Sequence, residues 1–388
     1  MIKTTLILLC LCLTSPVYGL ELYHSDKASI HLKGSYKNLA FTSKRAATNN
    51  WFFADLNRVR TEWDAKFKIV SAKVIWDNEL IAGDFVNTEE FAVRQTQRDV
   101  PFLNMDYELS RRNDFFYGQS FYRAYLQVDP GPFVLRVGRQ KVDWGIMRLF
   151  SPGDLFTRTP IFDIEREERV GNTAANLTIP LETPIGGLRI NPVYAFDPSV
   201  DRSRIGGRLT QTIGHFDVSA FGGRFLRDKV FGADFSGDLH KAGIRGEFIY
   251  DLADVGKNFI QCAAGADYGF ENTLYLALEY FFNGQGINHT PLSPALSPLL
   301  RPTANQIKSI HQNFLGLLTK YDLTPLWTTQ LETIIDLNGG SVFLNPETKY
   351  SVFTWLDLMG GMQFPIGHSG GEFTATPNVY YAQTQLFF

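Results

Sequence analysis

Cysteine is almost missing from this chain of 388 residues: Cys10 and Cys12 sit near the start, and Cys262 stands alone in the rest. With the first residues removed no intramolecular disulfide can form, so the fold must hold without staples. Long hydrophobic runs are missing too. After Leu20 no stretch of eighteen apolar residues occurs, which excludes a helical membrane bundle. A charge excess is also lacking, because 37 Lys and Arg against 40 Asp and Glu give a formal net charge of −3. That leaves no basic footprint for nucleic acid. There is no paired-His or Cys-pair metal spacing, haem-attachment motif or Gly-Lys-Ser phosphate cradle, so no cofactor and no catalytic metal are expected.

What the chain does have is rings and glycine: 32 Phe, 16 Tyr and 6 Trp beside 33 Gly. That mixture suits many strands, tight turns and aromatic side chains at a membrane interface. The first residues read as an export signal, with Lys3, an apolar stretch from Leu6 to Leu13 and small residues at Val17-Tyr18-Gly19. The apolar stretch is short of the ~20 residues that a spanning helix needs. Residues 1–19 are therefore expected to be cleaved, leaving 20–388 as one mature domain.

Along that domain apolar and polar residues alternate with period two. Leu274, Leu276, Leu278, Tyr280 and Phe282 oppose Thr273, Tyr275 and Glu279; Trp327, Thr329, Leu331, Thr333, Ile335 and Leu337 oppose Gln330, Glu332 and Asp336. Ala242, Ile244, Gly246, Phe248 and Tyr250 oppose Lys241, Arg245, Glu247 and Asp251. Helical spacing would scatter these sets, whereas a strand puts each on one face. Segments bounded by Gly, Pro, Asn and Asp predict strands near 28–40, 51–67, 69–79, 117–129, 132–141, 172–181, 187–196, 203–212 and 215–225. The second half adds 229–238, 240–251, 257–269, 272–283, 309–322, 325–337, 340–351, 354–364 and 377–388. The predicted fold class is all-β, a transmembrane antiparallel up-and-down barrel of about 18 strands. Pro192 and Pro346 fall inside proposed strands, where each should cost a ladder bond, so a count of 16 is the other reading.

Parity sorts the connections. Short turns such as Asp129-Pro130-Gly131-Pro132 belong to one end, and the long connections 80–116, 142–171 and 284–308 all fall at the other, as expected of periplasmic turns and outer loops. The chain ends on Tyr380, Ala382, Thr384, Leu386 and Phe388 on one face. Phe388 resembles the terminal signature that the barrel assembly machinery reads.

If the apolar faces meet outer-membrane lipid, the charged faces line the interior, since a charge at mid-depth on the lipid side would cost roughly 2–4 kcal/mol. The inward set includes Lys33, Lys37, Arg58, Arg60, Glu62, Asp64, Arg123, Arg136, Arg204, Arg208, Arg245, Glu247, Asp267, Glu332 and Asp336. So many charges of both signs need water, and about half are expected to pair across strands without touching a solute.

The most distinctive stretch runs Gly138-Arg139-Gln140, Trp144-Gly145, then Arg148-Leu149-Phe150-Ser151-Pro152-Gly153-Asp154-Leu155-Phe156, and closes on Phe162-Asp163-Ile164-Glu165-Arg166-Glu167-Glu168-Arg169-Val170-Gly171. Over these thirty or so residues the chain resembles porin-like outer-membrane proteins related to the alginate-export type, and it is similar in size and style to barrels that sheathe multihaem cytochromes. The resemblance implies that 142–171 folds back and narrows the pore. Arg148, Asp163, Glu165, Arg166, Glu167, Glu168 and Arg169 would then face the passage, with Gln140 among the lining candidates. Close carboxylates and guanidiniums at a constriction would sort solutes by charge; the opposing reading is a salt-bridged loop in water.

The expected function is a non-enzymatic channel for small hydrophilic or charged solutes. One alternative is a sheath for a multihaem cytochrome; a homo-oligomer is a further expected association. The other is a hydrolase using Ser369 in Gly367-His368-Ser369-Gly370-Gly371, although that pattern needs a strand before the serine and a helix after it, and here it joins two strands. Cys262 shares a face with Ile260, Ala264 and Tyr268 and reads as a small packing residue.

Overall fold

The computed structural model describes residues 19–45, 48–96, 102–157, 164–165, 168–169, 171–288, 307, 309–368, 370–374 and 376–388. The first strands are β1 (Leu20–Ser25), β2 (Ala28–Lys44), β3 (Trp51–Phe67), β4 (Val70–Ala82), β5 (Asp106–Arg112), β6 (Phe115–Val128) and β7 (Val134–Gln140). They continue as β8 (Asn172–Thr183), β9 (Gly186–Ala195), β10 (Arg204–Ile213), β11 (Phe216–Phe225), β12 (Asp228–Leu239), β13 (Ala242–Leu252) and β14 (Phe259–Gly269). The last are β15 (Tyr275–Asn283), β16 (Asn313–Thr324), β17 (Trp327–Asp336), β18 (Ser341–Phe353), β19 (Leu356–Ile366) and β20 (Val379–Phe387).

Each pairing is antiparallel, and β20 returns to β2, with Ser35 opposite Phe387 and Ser43 opposite Val379. The sheet closes into a barrel of 18 strands. Each expected segment has its strand, and the count is 18 and not 16. β1 and β5 were not anticipated. β1 folds as a hairpin onto β2. β5 lies inside the 80–116 connection and pairs with Phe115–Ser120 of β6, above the point where the short β7 takes over that edge at Ala124. An open strand edge is a template for unwanted pairing; β5 covers this one. The same connection holds a 3-10 turn, Asp84–Asn87, and the helix α1 (Glu89–Thr96).

The two prolines do cost ladder bonds. Pairing of β8 with β9 breaks between Asn176–Val193 and Ile179–Ile190, around Pro192. The pairing of β18 with β19 breaks around Pro346 in the same way. At the first break the Asn191 side chain supplies the donor, its Nδ2 lying 2.8 Å from the Leu177 carbonyl, so that acceptor keeps a partner.

Large apolar side chains cover the outside, including Leu209, Phe231, Phe248 and Leu278, while their neighbours Arg208, Glu247 and Glu279 turn inward. On β3 the rings gather in two bands, Trp51 with Phe53 and Trp63 with Phe67. From Phe53 to Trp63, at about 3.3 Å per residue and a tilt of about 40°, the wall rises roughly 25 Å, the height of the apolar band of a membrane barrel. At one end every connection between ring strands is two to five residues; the long ones, 83–114, 141–171 and 284–312, all open at the other end. Phe388 closes the seam. Its backbone exchanges hydrogen bonds with Gly34, and its ring occupies the space a Cβ on Gly34 would need.

Gly138 has φ +129, and a Cβ there would stand 2.3 Å from the Ala124 carbonyl oxygen. The strain and the clash fall together on the β6–β7 ladder. Gly138→Ala is expected to lower the yield of folded barrel sharply, measured as the fraction whose gel mobility changes on boiling.

Candidate functional site

The segment 141–171 is tied to the barrel wall through its own backbone. The Glu247 carboxylate on β13 accepts hydrogen bonds from the backbone N–H of Ile146, from Met147 N at 3.1 Å, Gly153 N at 2.7 Å and the Ser151 hydroxyl at 2.7 Å. Two strands along, the Glu279 carboxylate accepts from Arg148 N at 2.6 Å, Leu149 N at 2.8 Å and Phe150 N at 3.1 Å. Both carboxylates are buried. Seven donors converge on them, so oxygens that would otherwise be buried without partners are satisfied. Two cationic side chains hold the carbonyls of the same turn, Arg208 on Trp144 O and Arg245 on Ile146 O at 3.1 Å.

The distinctive motif is the means of this attachment. Gly145 has no room for a side chain, because a Cβ would lie 2.1 Å from Ser151 Oγ and 2.7 Å from Asp154 Cγ. Its N–H donates to Asp154 Oδ1 at 2.9 Å, so Trp-Gly and Ser-Pro-Gly-Asp close one compact turn. Trp144 packs on Phe156, Phe221 and Phe225 and donates from Nε1 to Asn191 at 3.0 Å. Phe150 stacks on Phe281 at 5.1 Å and meets Phe314. These partners lie on β9, β11, β15 and β16 and face the interior, so the turn spreads along that inner wall.

The return limb reaches β2 and β3. Glu165 meets Arg58 through two bonds, 2.8 and 3.0 Å, and Glu168 meets Arg60 through two, 3.1 and 2.8 Å. Lys37 Nζ touches both carboxylates, at 3.2 and 3.3 Å. Behind them Asp77 grips Arg60 at 2.7 Å, and Glu79 bridges Arg58 at 2.8 Å and Arg94 of α1 at 2.9 Å. Among the described residues this network sets Lys37, Arg58, Arg60 and Arg94 against Asp77, Glu79, Glu165 and Glu168, four charges of each sign. Burial alone would raise the carboxyls of the limb. Arg58 and Lys37 nevertheless hold Glu165 below the ordinary range, and Arg58, Arg60 and Lys37 bring Glu168 down to about 2. Next to it Arg169 bridges Asp143 and Asp154, both at 2.9 Å, and its carbonyl accepts from Arg123 at 2.6 Å.

A bulge shapes this corner. Ile75 pairs with Arg123 and Trp76 with Phe121, which leaves Tyr122 without a partner on β4. Both Tyr122 and Arg123 then turn inward, as a bulge permits, and the Tyr122 ring meets the guanidiniums of Arg60 at 4.2 Å and Arg123 at 4.0 Å.

The structure brings Arg58, Arg60, Arg123, Glu165, Glu168 and Arg169 together. It places other candidates apart from them. Gln140 is fully buried, donating from Nε2 to Ala174 O at 2.9 Å, so it is a wall residue and not a lining one: the short β7 turns its amide into the strand pairing. Arg139 is buried against Asp106 of β5 at 3.0 Å. Arg136 bonds Gln127 at 2.8 Å and stacks on Tyr125, Arg208 pairs with Asp234 at 2.9 Å, and Arg245 pairs with Asp267. Arg148 is exposed, and Glu332 is buried on β17. Asp163, Arg166 and Glu167 lie outside the described residues, as does Ser369 of the hydrolase alternative.

Sequence reasoning missed the anchoring role of Glu247 and did not single out Glu279. The available signal was an acid on the polar face of an otherwise leucine-rich strand. It also missed Asp77, Glu79 and Arg189, the last exposed on the inner face of β9. A second inward element was missed as well: Phe85, Val86 and Phe91, from the 3-10 turn and α1, are buried among Leu39, Phe52, Leu56, Ile81, Phe116 and Tyr381. Ile164 packs against the same cluster, so the two inserted segments meet.

No protein-family model matches this chain, and no curated protein does. Solved structures do. OccAB4 of Acinetobacter baumannii superposes with a TM-score of 0.59 at 9% identity, over 96% of this chain and 100% of its own. OccAB1 of the same organism gives 0.57 at 10% identity, over 92% and 96%. Pseudomonas aeruginosa OpdK, solved with vanillate, gives 0.56 at 10% identity, over 94% and 98%. The chain has the fold of these barrels. At such identities the likeness concerns the fold alone, and the site has to be argued from its own residues.

Proposed function

We propose that the chain is an outer-membrane channel through which small hydrophilic or charged solutes pass, with segment 141–171 setting the width and charge of the passage. The observation that carries this reading is the double tether of that segment. Glu247 and Glu279 hold it at β13 and β15, while Lys37, Arg58 and Arg60 hold it at β2 and β3. Tethers at two separated parts of one inner wall support a segment that narrows the passage between them. Size and wall electrostatics then select the solute, as in other charged pores. The exterior supports the membrane setting, since its exposed side chains are largely apolar and banded by rings.

Residues 1–19 act as the cleaved export leader in this reading, the long connections face outward, and Phe388 is the assembly signal. The finer relation to alginate-export-type porins rests on the 138–171 motif. OpdK's vanillate makes a small aromatic carboxylate the first solute to try, because Arg148 and Arg189 are exposed guanidiniums. The sheath alternative has no observation in its favour, the chain's own segments packing against the interior.

Reconstituted in planar bilayers, the purified barrel is expected to give stepwise conductance and a reversal potential displaced from zero in a salt gradient. A barrel that changes mobility on boiling yet conducts nothing would defeat the channel reading and favour a scaffold.

A further inference from the structure

The outer face is not uniformly apolar, and the exception is local. On β2, β3, β4 and β6 the side chains Asn38, Asp55, Asn57, Asn78 and Gln119 lie on the same face as the exposed Val59, Phe53 and Trp63. They bond to one another across the strands. Asn38 Nδ2 donates to Asp55 at 2.5 Å and to Asn57 at 3.1 Å, Tyr36 OH donates to Asn57 at 2.5 Å, and Gln119 Nε2 donates to Asn78 at 2.7 Å. Asp55 and Asn57 sit between the two aromatic bands of β3, within the apolar height. Among the described residues no partner is found for the second oxygen of Asp55 or the amide nitrogens of Asn57 and Asn78. The far side, on β10 to β15, presents Leu209, Phe231, Phe235, Phe248, Leu278 and Tyr280 instead.

Next to the polar patch the wall is hollow. Ala40, Ala382, Gly360, Thr348 and Thr329 follow one another in register across β2, β20, β19, β18 and β17. They floor an open groove of about 630 Å³ rimmed by Phe53, Met362 and Tyr380.

We infer that this face, from β17 through β20 to β6, is the contact by which a second copy of this chain packs beside the first in the plane of the membrane. The inference rests on the membrane reading above. Acyl chains offer no hydrogen bonds, so unmatched amides and a carboxylate at this depth call for a protein partner. Carboxamides both donate and accept, which makes the patch complementary to a copy of itself. The groove of small residues lets a neighbouring wall approach closely, as small residues do between membrane helices.

The test uses single cysteines in a Cys262→Ser background: Asn57→Cys in the patch and Ala382→Cys in the groove, with wild-type Cys262, outward on β14 across the ring, as the control. A short bismaleimide applied to intact outer membranes is expected to yield species of two or more chain masses from both variants and none from Cys262. Asp55→Leu with Asn57→Leu is expected to reduce the wild-type mass in mild detergent to that of one chain, while the boiling-dependent mobility shift is kept. Heat-modifiable membrane barrels that do not cross-link at either position, or that cross-link only to a protein of another mass, overturn the interface and leave the membrane reading standing. A chain soluble without detergent overturns both.

Discussion

Replacing Glu247 and Glu279 together by alanine is expected to raise single-channel conductance severalfold while the barrel stays folded. The two carboxylates receive seven hydrogen bonds from residues 146–153 and make the principal polar attachment of that turn to the wall. Each such hydrogen bond contributes about 0.5–1.5 kcal/mol, and donors left buried without a partner cost about 1–3 kcal/mol apiece. Once the acceptors are gone the turn gains by moving its N–H groups into water. Neither glutamate side chain takes part in the strand ladder, so closure of the ring through β20 and β2 is not threatened. The single variants should give smaller rises, because each leaves one anchor. Glutamine at either position should fall between, its amide offering one acceptor oxygen and adding donors where donors already crowd. Unchanged conductance in the double variant would mean that 141–171 does not limit the passage.

Much of the barrel was readable because its physics is local. Alternation at Leu276, Leu278 and Tyr280 against Glu279 is a property of neighbouring residues, and turns such as Asp129-Pro130-Gly131 punctuate it. β5 escaped because its alternation is brief, running from Asp106 to Ser110 before Arg111-Arg112 ends it; what makes it a strand is the vacant edge of β6, a tertiary fact. Tyr122 escaped for a similar reason. A bulge changes which face Arg123 takes, and nothing in Ser120-Phe121-Tyr122-Arg123-Ala124 announces it. The site was half legible. Lys37, Arg58, Arg60, Arg123, Glu165, Glu168 and Arg169 were named, and pairing of about half the inward charges was anticipated, but partners such as Asp77 for Arg60 depend on register. The anchoring glutamates looked like any inward acid, since sequence does not show the four donors brought to Glu247 and the three brought to Glu279 by a loop about a hundred residues away.

Glu165→Gln with Glu168→Gln is expected to move the reversal potential strongly toward anions. Among the described residues Lys37, Arg58, Arg60 and Arg94 are matched by Asp77, Glu79, Glu165 and Glu168, so Arg58, Arg60 and Lys37 present little net charge to a passing ion. The double variant removes two negative charges and keeps all the positive ones. Breaking one side of a buried pair costs about 3–5 kcal/mol through the uncompensated partner, and here that partner can recover part of the loss by binding anions from solution. The pH dependence separates this cluster from ordinary surface charge. Glu168 is held at about 2 by its cationic neighbours, below the usual carboxylate value. The stabilisation it provides is therefore complete above about pH 4.5 and fades only as the pH falls through about 2. Between pH 7 and pH 4 the gap in reversal potential between wild type and double variant should persist, although exposed carboxylates begin to titrate. A gap that closes by pH 4 would place the selecting charge on solvated surface acids. Persistence with restoration of the wild-type potential by adding Arg58→Gln and Arg60→Gln would assign the selectivity to the balance at this one corner of the wall.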